Sequence, residues 1–234
     1  MRVNVVTLSD REVTKERRVG AGLVIAAGNV YFRLASARFR MFASLTKWVL
    51  HEQRMFRLLH QREVRRDGRA IVMPRLHGRD LSSILGEPDV TMHDRALGLC
   101  GRMVGSLHDR GISHGDLNTG NLIVDDTTAR VIDFDAAHDE RDPIAVRAAD
   151  DVLGFVLDLS RFAGGEDDFR RRVALFGEAY GRRSVVVREL RLLAGVHGFL
   201  GSSLLRARAH GASRTVVARR VALAASLLDR SDGS

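Results

Sequence analysis

The sequence predicts an α+β chain in two lobes, a small strand-rich one over residues 1–76 and a larger helical one over residues 77–234. Three observations lead there. Short apolar runs bounded by turn residues dominate before Leu76, with a single long helical pattern among them. A buried-strand pattern at Ala70–Met73 stops at Pro74, which cannot donate to a sheet ladder. Beyond it, apolar residues recur at helical spacing, interrupted by one pair of short strand-like runs.

In chain order, Val3–Leu8 reads as a strand and Asp10–Arg18 as a charged surface segment. Val19–Gly22 is a glycine-bearing turn. Leu23–Ala26 and Val30–Leu34, separated by Ala27-Gly28-Asn29, read as a hairpin. Ala35–Ser44 interleaves arginine and phenylalanine (Arg38, Phe39, Arg40, Phe42). That pattern suits a loop pinned by its aromatics, or a surface that meets nucleic acid or a membrane. Thr46–Gln61 is helical, with Trp48, Val49, Met55, Phe56 and Leu59 on one broad face and Glu52 within it.

After the strand at Ala70–Met73, His77-Gly78-Arg79 form a hinge and a short helix begins at Asp80. Thr91–Asp109 carries a stripe of Leu97, Cys100, Met103, Val104 and Leu107. Thr91 with Asp94 resembles a capping box, and Gly111 ends the helix. Leu122–Val124 and Ala129–Ile132 are strands joined by a turn at Asp125–Thr128. Helices follow at Ala145–Phe162, Glu166–Tyr180, Ser184–Leu200 and Ser213–Asp229. The last has Arg214, Arg219 and Arg220 beside its apolar face, and Arg230 leads into a frayed end.

Apolar residues make up 45% of the chain and charged ones 28%, which places it among soluble globular proteins. The single cysteine, Cys100, excludes an internal disulfide and cysteine-cluster metal binding, and fits a reducing cytoplasm. Met1–Gly20 is too charged for the apolar core of a secretory signal. The apolar stretch Gly22–Phe32 is far short of the ~20 residues of a membrane span. The expectation is a cytoplasmic protein, with a peripheral contact at the inner membrane left open. Net charge is +8, and almost all of the positive charge is arginine; the only lysines are Lys15 and Lys47. Arginine forks match phosphate and carboxylate bidentately. The basic surface therefore suits ATP, an anionic glycolipid or an acidic membrane face; nucleic acid is not the expected partner.

The chemistry is concentrated between His114 and Asp135. Asp116 and Asn121 lie in a polar loop, and Asp133 follows two short apolar strands. A hairpin of that length folds back, so Asp133 returns to the level of Asn121. One aspartate is then free to handle a proton, while an amide oxygen and a carboxylate converge. Hard oxygen ligands of this kind suit Mg²⁺. A phosphoryl-transfer site needs that inventory. No triad supports serine or cysteine nucleophile chemistry.

His114-Gly-Asp-Leu-Asn, with Asn121 and then Ile132-Asp-Phe-Asp135, resembles the catalytic loop and metal motif of the protein-kinase-like fold. Gly115 stands where protein kinases carry arginine, and Asp135 where they carry glycine. The pattern is most similar to bacterial lipopolysaccharide kinases of the Kdo/WaaP family. Aminoglycoside and choline phosphotransferases and RIO-like kinases share the His-Gly-Asp loop. The resemblance implies a two-lobed fold, ATP and Mg²⁺, with Asp116 orienting or deprotonating the acceptor and Asn121 and Asp133 holding metal.

It also implies a strand lysine on the ATP phosphates, paired with a helix glutamate. By position these are Arg33 and Glu52, a departure, because arginine is longer and planar. Gly20 and Gly22 either make a plain turn or a shortened loop over the phosphates; the full Gly-x-Gly-x-x-Gly pattern is missing. Adenine is expected against the hinge, at Met73 and Arg75. His114 should brace the loop against Asp-Phe-Asp, and either Asp150 or Asp151 should hold the loop backbone. Asp135 bonds within its own loop or touches substrate.

The implied acceptor is a sugar hydroxyl of the lipopolysaccharide core, Kdo or heptose. The alternatives are a small-molecule phosphotransferase, an atypical serine/threonine protein kinase, and a module that binds nucleotide without turnover.

Overall fold

The computed structural model describes residues 3–35, 37–181, 184–195, 208–211 and 213–229. Four antiparallel strands, β1 (Asn4–Leu8), β2 (Glu12–Arg17), β4 (Arg65–Asp67) and β5 (Ala70–Pro74), form a sheet in the order β1-β2-β5-β4. Helix α2 (Leu45–His60) packs on it: Trp48, Val49 and Phe56 meet Val64, Ile71 and Met73 in a small core. Ser44 caps α2 by accepting from the Lys47 backbone N–H at 3.4 Å.

The helical lobe has a larger core. Helix α3 (Leu81–Leu85) starts it, and α4 (Val90–Asp109), α5 (Ile144–Leu159), α6 (Glu166–Tyr180), α7 (Ser184–Gly195) and a last described helix, Arg214–Asp229, build it. Strand β6 (Arg79–Asp80) joins the hairpin of β7 (Leu122–Val124) and β8 (Ala129–Val131), which has Asn121 and Asp133 at its two ends. Asp125 closes the hairpin turn by accepting from the Thr127 and Thr128 N–H groups, both at 2.8 Å. A strand pair outside both layers, β3 (Phe39–Met41) with β9 (Ala136–His138), ties the small lobe to the segment after Asp135.

Several expectations are corrected. The hairpin expected at Leu23–Ala26 and Val30–Leu34 is one helix, α1 (Ala21–Leu34). Gly28-Asn29 makes no turn; the Asn29 amide bonds the Met41 main chain through both its atoms, at 2.8 and 2.9 Å. Asp10–Arg18 is a surface segment on one side only: β2 runs through it, with Glu12, Glu16 and Arg18 exposed and Lys15 and Arg17 turned inward at alternate positions and buried. Asp89, and not Thr91, caps α4, accepting from the Met92 N–H at 3.1 Å; Asp94 is bonded by Arg171 instead. Of the helix expected at Ser184–Leu200, residues 196–200 lie outside the described residues, as do the Arg214 side chain and the end expected to fray from Arg230.

Candidate active site

A cavity of 380 Å³ lies between the lobes. Val6, Val13 and Met73 form its upper wall, Ile123 and Ile132 its lower one, and Lys15, Glu52 and Asp133 close one end. Pro74, Arg75 and Leu76 line the hinge side. The Arg75 N–H is committed to the Arg11 carbonyl at 2.8 Å, and its guanidinium to the Ser9 carbonyl at 3.0 Å.

The cation at this end is Lys15. Its Nζ lies 2.6 Å from Glu52 Oε1 and 2.6 Å from Asp135 Oδ1, and it bonds Asp133 Oδ1 as well. Glu52 is 1% exposed and Lys15 5%. Burial works against charge on Lys15, but the three carboxylates outweigh it and hold the ammonium above its ordinary range. Burial raises the Glu52 carboxyl, with Asp133 and Asp135 adding to the rise and Lys15 opposing it. Neighbouring protein works against charge on Asp133, yet Lys15 holds it below the ordinary range.

Arg33, aligned to this role from the sequence, is in α1 and lines a different groove, and the partner of Glu52 is Lys15. The alignment failed because α1 and β3 stand between the lysine strand and α2. Gly20 is the left-handed residue that starts α1, and Gly22 lies in that helix against the Ala43 carbonyl; neither lines the cavity. Residue type was the missed signal: one of only two lysines in the chain alternates with Val13 and Arg17 in a strand.

Asp133 holds a left-handed backbone, φ 69°, a conformation that non-glycine residues adopt mainly where surroundings over-determine it. The Ile132 N–H donates to the Asn121 carbonyl at 2.9 Å, so the hairpin does return Asp133 beside Asn121. The Asn121 amide nitrogen donates to the Asp116 carbonyl at 3.0 Å, which leaves its oxygen as the atom for a ligand. Glu52, Asp133 and Asp135 each offer an oxygen within 4.8 Å of the others. Lys15 bonds all three, so this trio is first a lysine cradle. Asp133, with a side chain 41% exposed, is the member open to a cation. Asp135 bonds outside its own loop: it accepts from Trp48 Nε1 and Asn4 Nδ2, both at 2.6 Å, so it reaches across to the small lobe.

The loop bearing Asp116 is held from below. Asp151 accepts from the His114 and Gly115 N–H groups at 2.6 and 2.8 Å, while its neighbour Asp150 pairs with His138 and Arg208. Asp151 is thus the one that braces the backbone. Asp158 accepts from the Thr119 N–H at 2.8 Å. His114 Nε2 reaches the Ile132 carbonyl at 2.8 Å and its ring lies 4.8 Å from Phe134, the expected brace. Gly115 has φ +89°, and a Cβ there would stand 2.9 Å from the Ala137 main chain. An arginine cannot take that place without moving β9. Asp116 is exposed, and the protein around it pushes its carboxyl up to about 7 against the pull of Arg208; Asp133 and Asp135 add to the rise.

The chain is similar to known proteins. Residues 34–152 fit the model of the lipopolysaccharide kinase (Kdo/WaaP) family. A 3-deoxy-D-manno-octulosonic acid kinase of Photobacterium damsela subsp. piscicida is 40% identical over 63 residues, 26% of this chain and 25% of the relative. KEOPS complex subunit Bud32 of Pyrococcus abyssi (strain GE5 / Orsay) is 40% identical over 70 residues, 29% of this chain and 30% of the relative. The matches thus span under a third of these relatives' own lengths. In overall fold, WbdD in complex with the kinase inhibitor LY294002 aligns with a TM-score of 0.50 at 19% identity, over 94% of this chain and 48% of that one. The family match covers half of the chain and contains the loop, its brace and the Asp-Phe-Asp motif, so the chain belongs to the lipopolysaccharide kinase (Kdo/WaaP) family.

Proposed function

We propose that the chain transfers the γ-phosphoryl group of ATP, with Mg²⁺, to a sugar hydroxyl of the lipopolysaccharide core, Kdo or heptose. The observation that carries this is Lys15, joined to Glu52 and Asp133 across the cleft above a braced Asp116. The apolar walls of the cavity suit a flat base, which would lie against Met73 and near the backbone at Arg75. Since the Arg75 N–H is already committed, the base must find its polar partners elsewhere on the hinge.

Lys15 would donate to the phosphate oxygens. Asp133 and Asn121 would hold Mg²⁺, a fit supported by an open carboxylate and an uncommitted amide oxygen on adjoining backbone. Bound there, the ion would neutralise charge on the phosphates. Asp116, with a carboxyl raised to about 7, is poised to accept the acceptor's proton near neutral pH. Asp151 keeps the Asp116 loop in place through two backbone N–H groups. With Lys15 in the phosphate-gripping role, Arg33 no longer argues for a nucleotide-binding module without turnover, while the thin glycine loop still does.

The test is transfer of γ-labelled phosphate from ATP to core oligosaccharides ending in Kdo or heptose, with and without Mg²⁺. Aminoglycoside and protein acceptors run in parallel. Label on a protein or small molecule alone would replace the sugar reading. ATP binding with no transfer to any acceptor would restore the binding-module reading.

A further inference from the structure

Helix α1 turns an apolar face outward. Leu23, Ala27, Val30 and Leu34 recur at helical spacing and make one stripe. Leu23 is 80% exposed, Val30 51% and Leu34 62%; Val24 and Tyr31 flank them, and Val19 precedes them, also exposed. No charged residue interrupts the helix before Arg33. The opposite side is firmly held. Ile25 is buried, Asn29 bonds the Met41 main chain, and Phe32 lies 4.9 Å from Phe39. The packing therefore presents the apolar stripe to the outside, where a contiguous patch marks an interaction surface.

Beside the stripe runs an open groove of 680 Å³ lined by Arg33, Arg38 and Arg40, with Phe39 between them and Asp139 and Asp142 on its far wall. Arg38 lies 4.0 Å from Asp142, and Asp139 is paired with Arg141. Arg33 has no ion-pair partner among the described residues, and Arg18 is exposed at the other end of the helix. An apolar ridge flanked by arginine is the make-up of a helix that lies in a membrane interface. The net charge of +8 acts in the same direction. A second copy of the chain is the poorer occupant, because a two-fold contact would set the arginine flank against itself.

We propose that α1 docks on an anionic bilayer surface. Leu23, Val30 and Leu34 enter the headgroup–acyl boundary, and Arg33, Arg38 and Arg40 meet lipid phosphates. No helix of the described residues is long and apolar enough to cross a membrane, so the contact is peripheral. β3, which carries Arg40, pairs with β9 directly after Asp135, so the docked face is one strand pair away from the catalytic segment. A lipid-borne acceptor would meet the cleft from that side; this last clause rests on the phosphotransferase reading, and the docking itself does not.

The experiment is co-sedimentation of the full chain with vesicles of phosphatidylcholine alone and of phosphatidylcholine mixed with phosphatidylglycerol. Binding should be about tenfold tighter to the anionic vesicles and should weaken with salt. Leu23→Glu with Leu34→Glu should lower it about tenfold, with unchanged melting temperature and ATP affinity. Arg33→Gln with Arg38→Gln should remove the anionic preference. In a separate variant, Leu23→Trp emission should shift to the blue on vesicle addition. No binding to anionic vesicles, equal binding by the glutamate variant, or a dimer that the glutamate variant abolishes without vesicle binding would each overturn the proposal. Vesicle binding without phosphorylation of any acceptor would leave the docking standing and remove the phosphotransferase reading.

Discussion

Two clusters of ionisable side chains sit on opposite sides of the Asp116 loop, and they are built differently. Below the loop, each aspartate has its complement. Asp151 takes two backbone N–H groups and His108; Asp150 takes His138 and Arg208; Asp158 takes Thr119 and His210. Above it, one cation, Lys15, bonds Glu52, Asp133 and Asp135 together. Even with the Arg17 guanidinium counted, 3.9 Å from Asp135, anions outnumber cations. A satisfied cluster holds a shape. A cluster in which carboxylates outnumber cations at the edge of a cleft keeps room for a further cation.

That contrast can be broken by mutation. Asp116→Asn, between the clusters, should lower kcat by about 10²–10⁴-fold with ATP affinity nearly unchanged. In the unmutated protein kcat/KM should climb with pH and level off above about 7, because a carboxyl raised by its surroundings becomes a base only once ionised. The variant should lose that limb. Lys15→Met should cost about 10²–10³-fold, as for removal of one preorganised charge donor. It should also ease deprotonation of neither Glu52 nor Asp133, since each loses its cation; Mg²⁺ titrations of ATP binding would read this.

Asp151→Asn acts on the other cluster. It should destabilise the fold by about 1.5–3 kcal/mol, the worth of hydrogen bonds to a charged group, measured by denaturant unfolding. Its activity should fall through the loop's position, with ATP affinity kept. The smallest effect belongs to Arg33→Ala, which should leave ATP turnover on a soluble acceptor unchanged and stability within about 0.5 kcal/mol. A loss of ATP turnover there would return Arg33 to the phosphates.

The lower half of the site was legible because its parts are close in sequence. Asp116, Asn121 and Asp133 belong to one loop and one hairpin, so spacing and turn chemistry alone return Asp133 to Asn121. The upper half joins Lys15 to Glu52 and to Asp133, residues far apart in the chain, and an intervening helix disguised the order of elements. β2 also inverts the usual alternation: its inward residues include Lys15 and Arg17, so polarity read as exposure. In α1, apolar runs too short to show a period matched strand and helix equally well. Choosing Asp151 over Asp150 needed the helix rotation, which neighbouring identical residues do not reveal.

One contact has a thermodynamic consequence. Lys15 belongs to the sheet, and Asp133 to the hairpin of the helical lobe, so their bond spans the cleft. Under the proposed function, an ion that draws Asp133 away also frees Lys15 for the phosphates. Two ligands that share one internal competitor help each other by the same factor, whichever binds first. Mg²⁺ should therefore sharpen ATP affinity, and ATP should sharpen Mg²⁺ affinity equally, with Lys15→Met reducing both enhancements together.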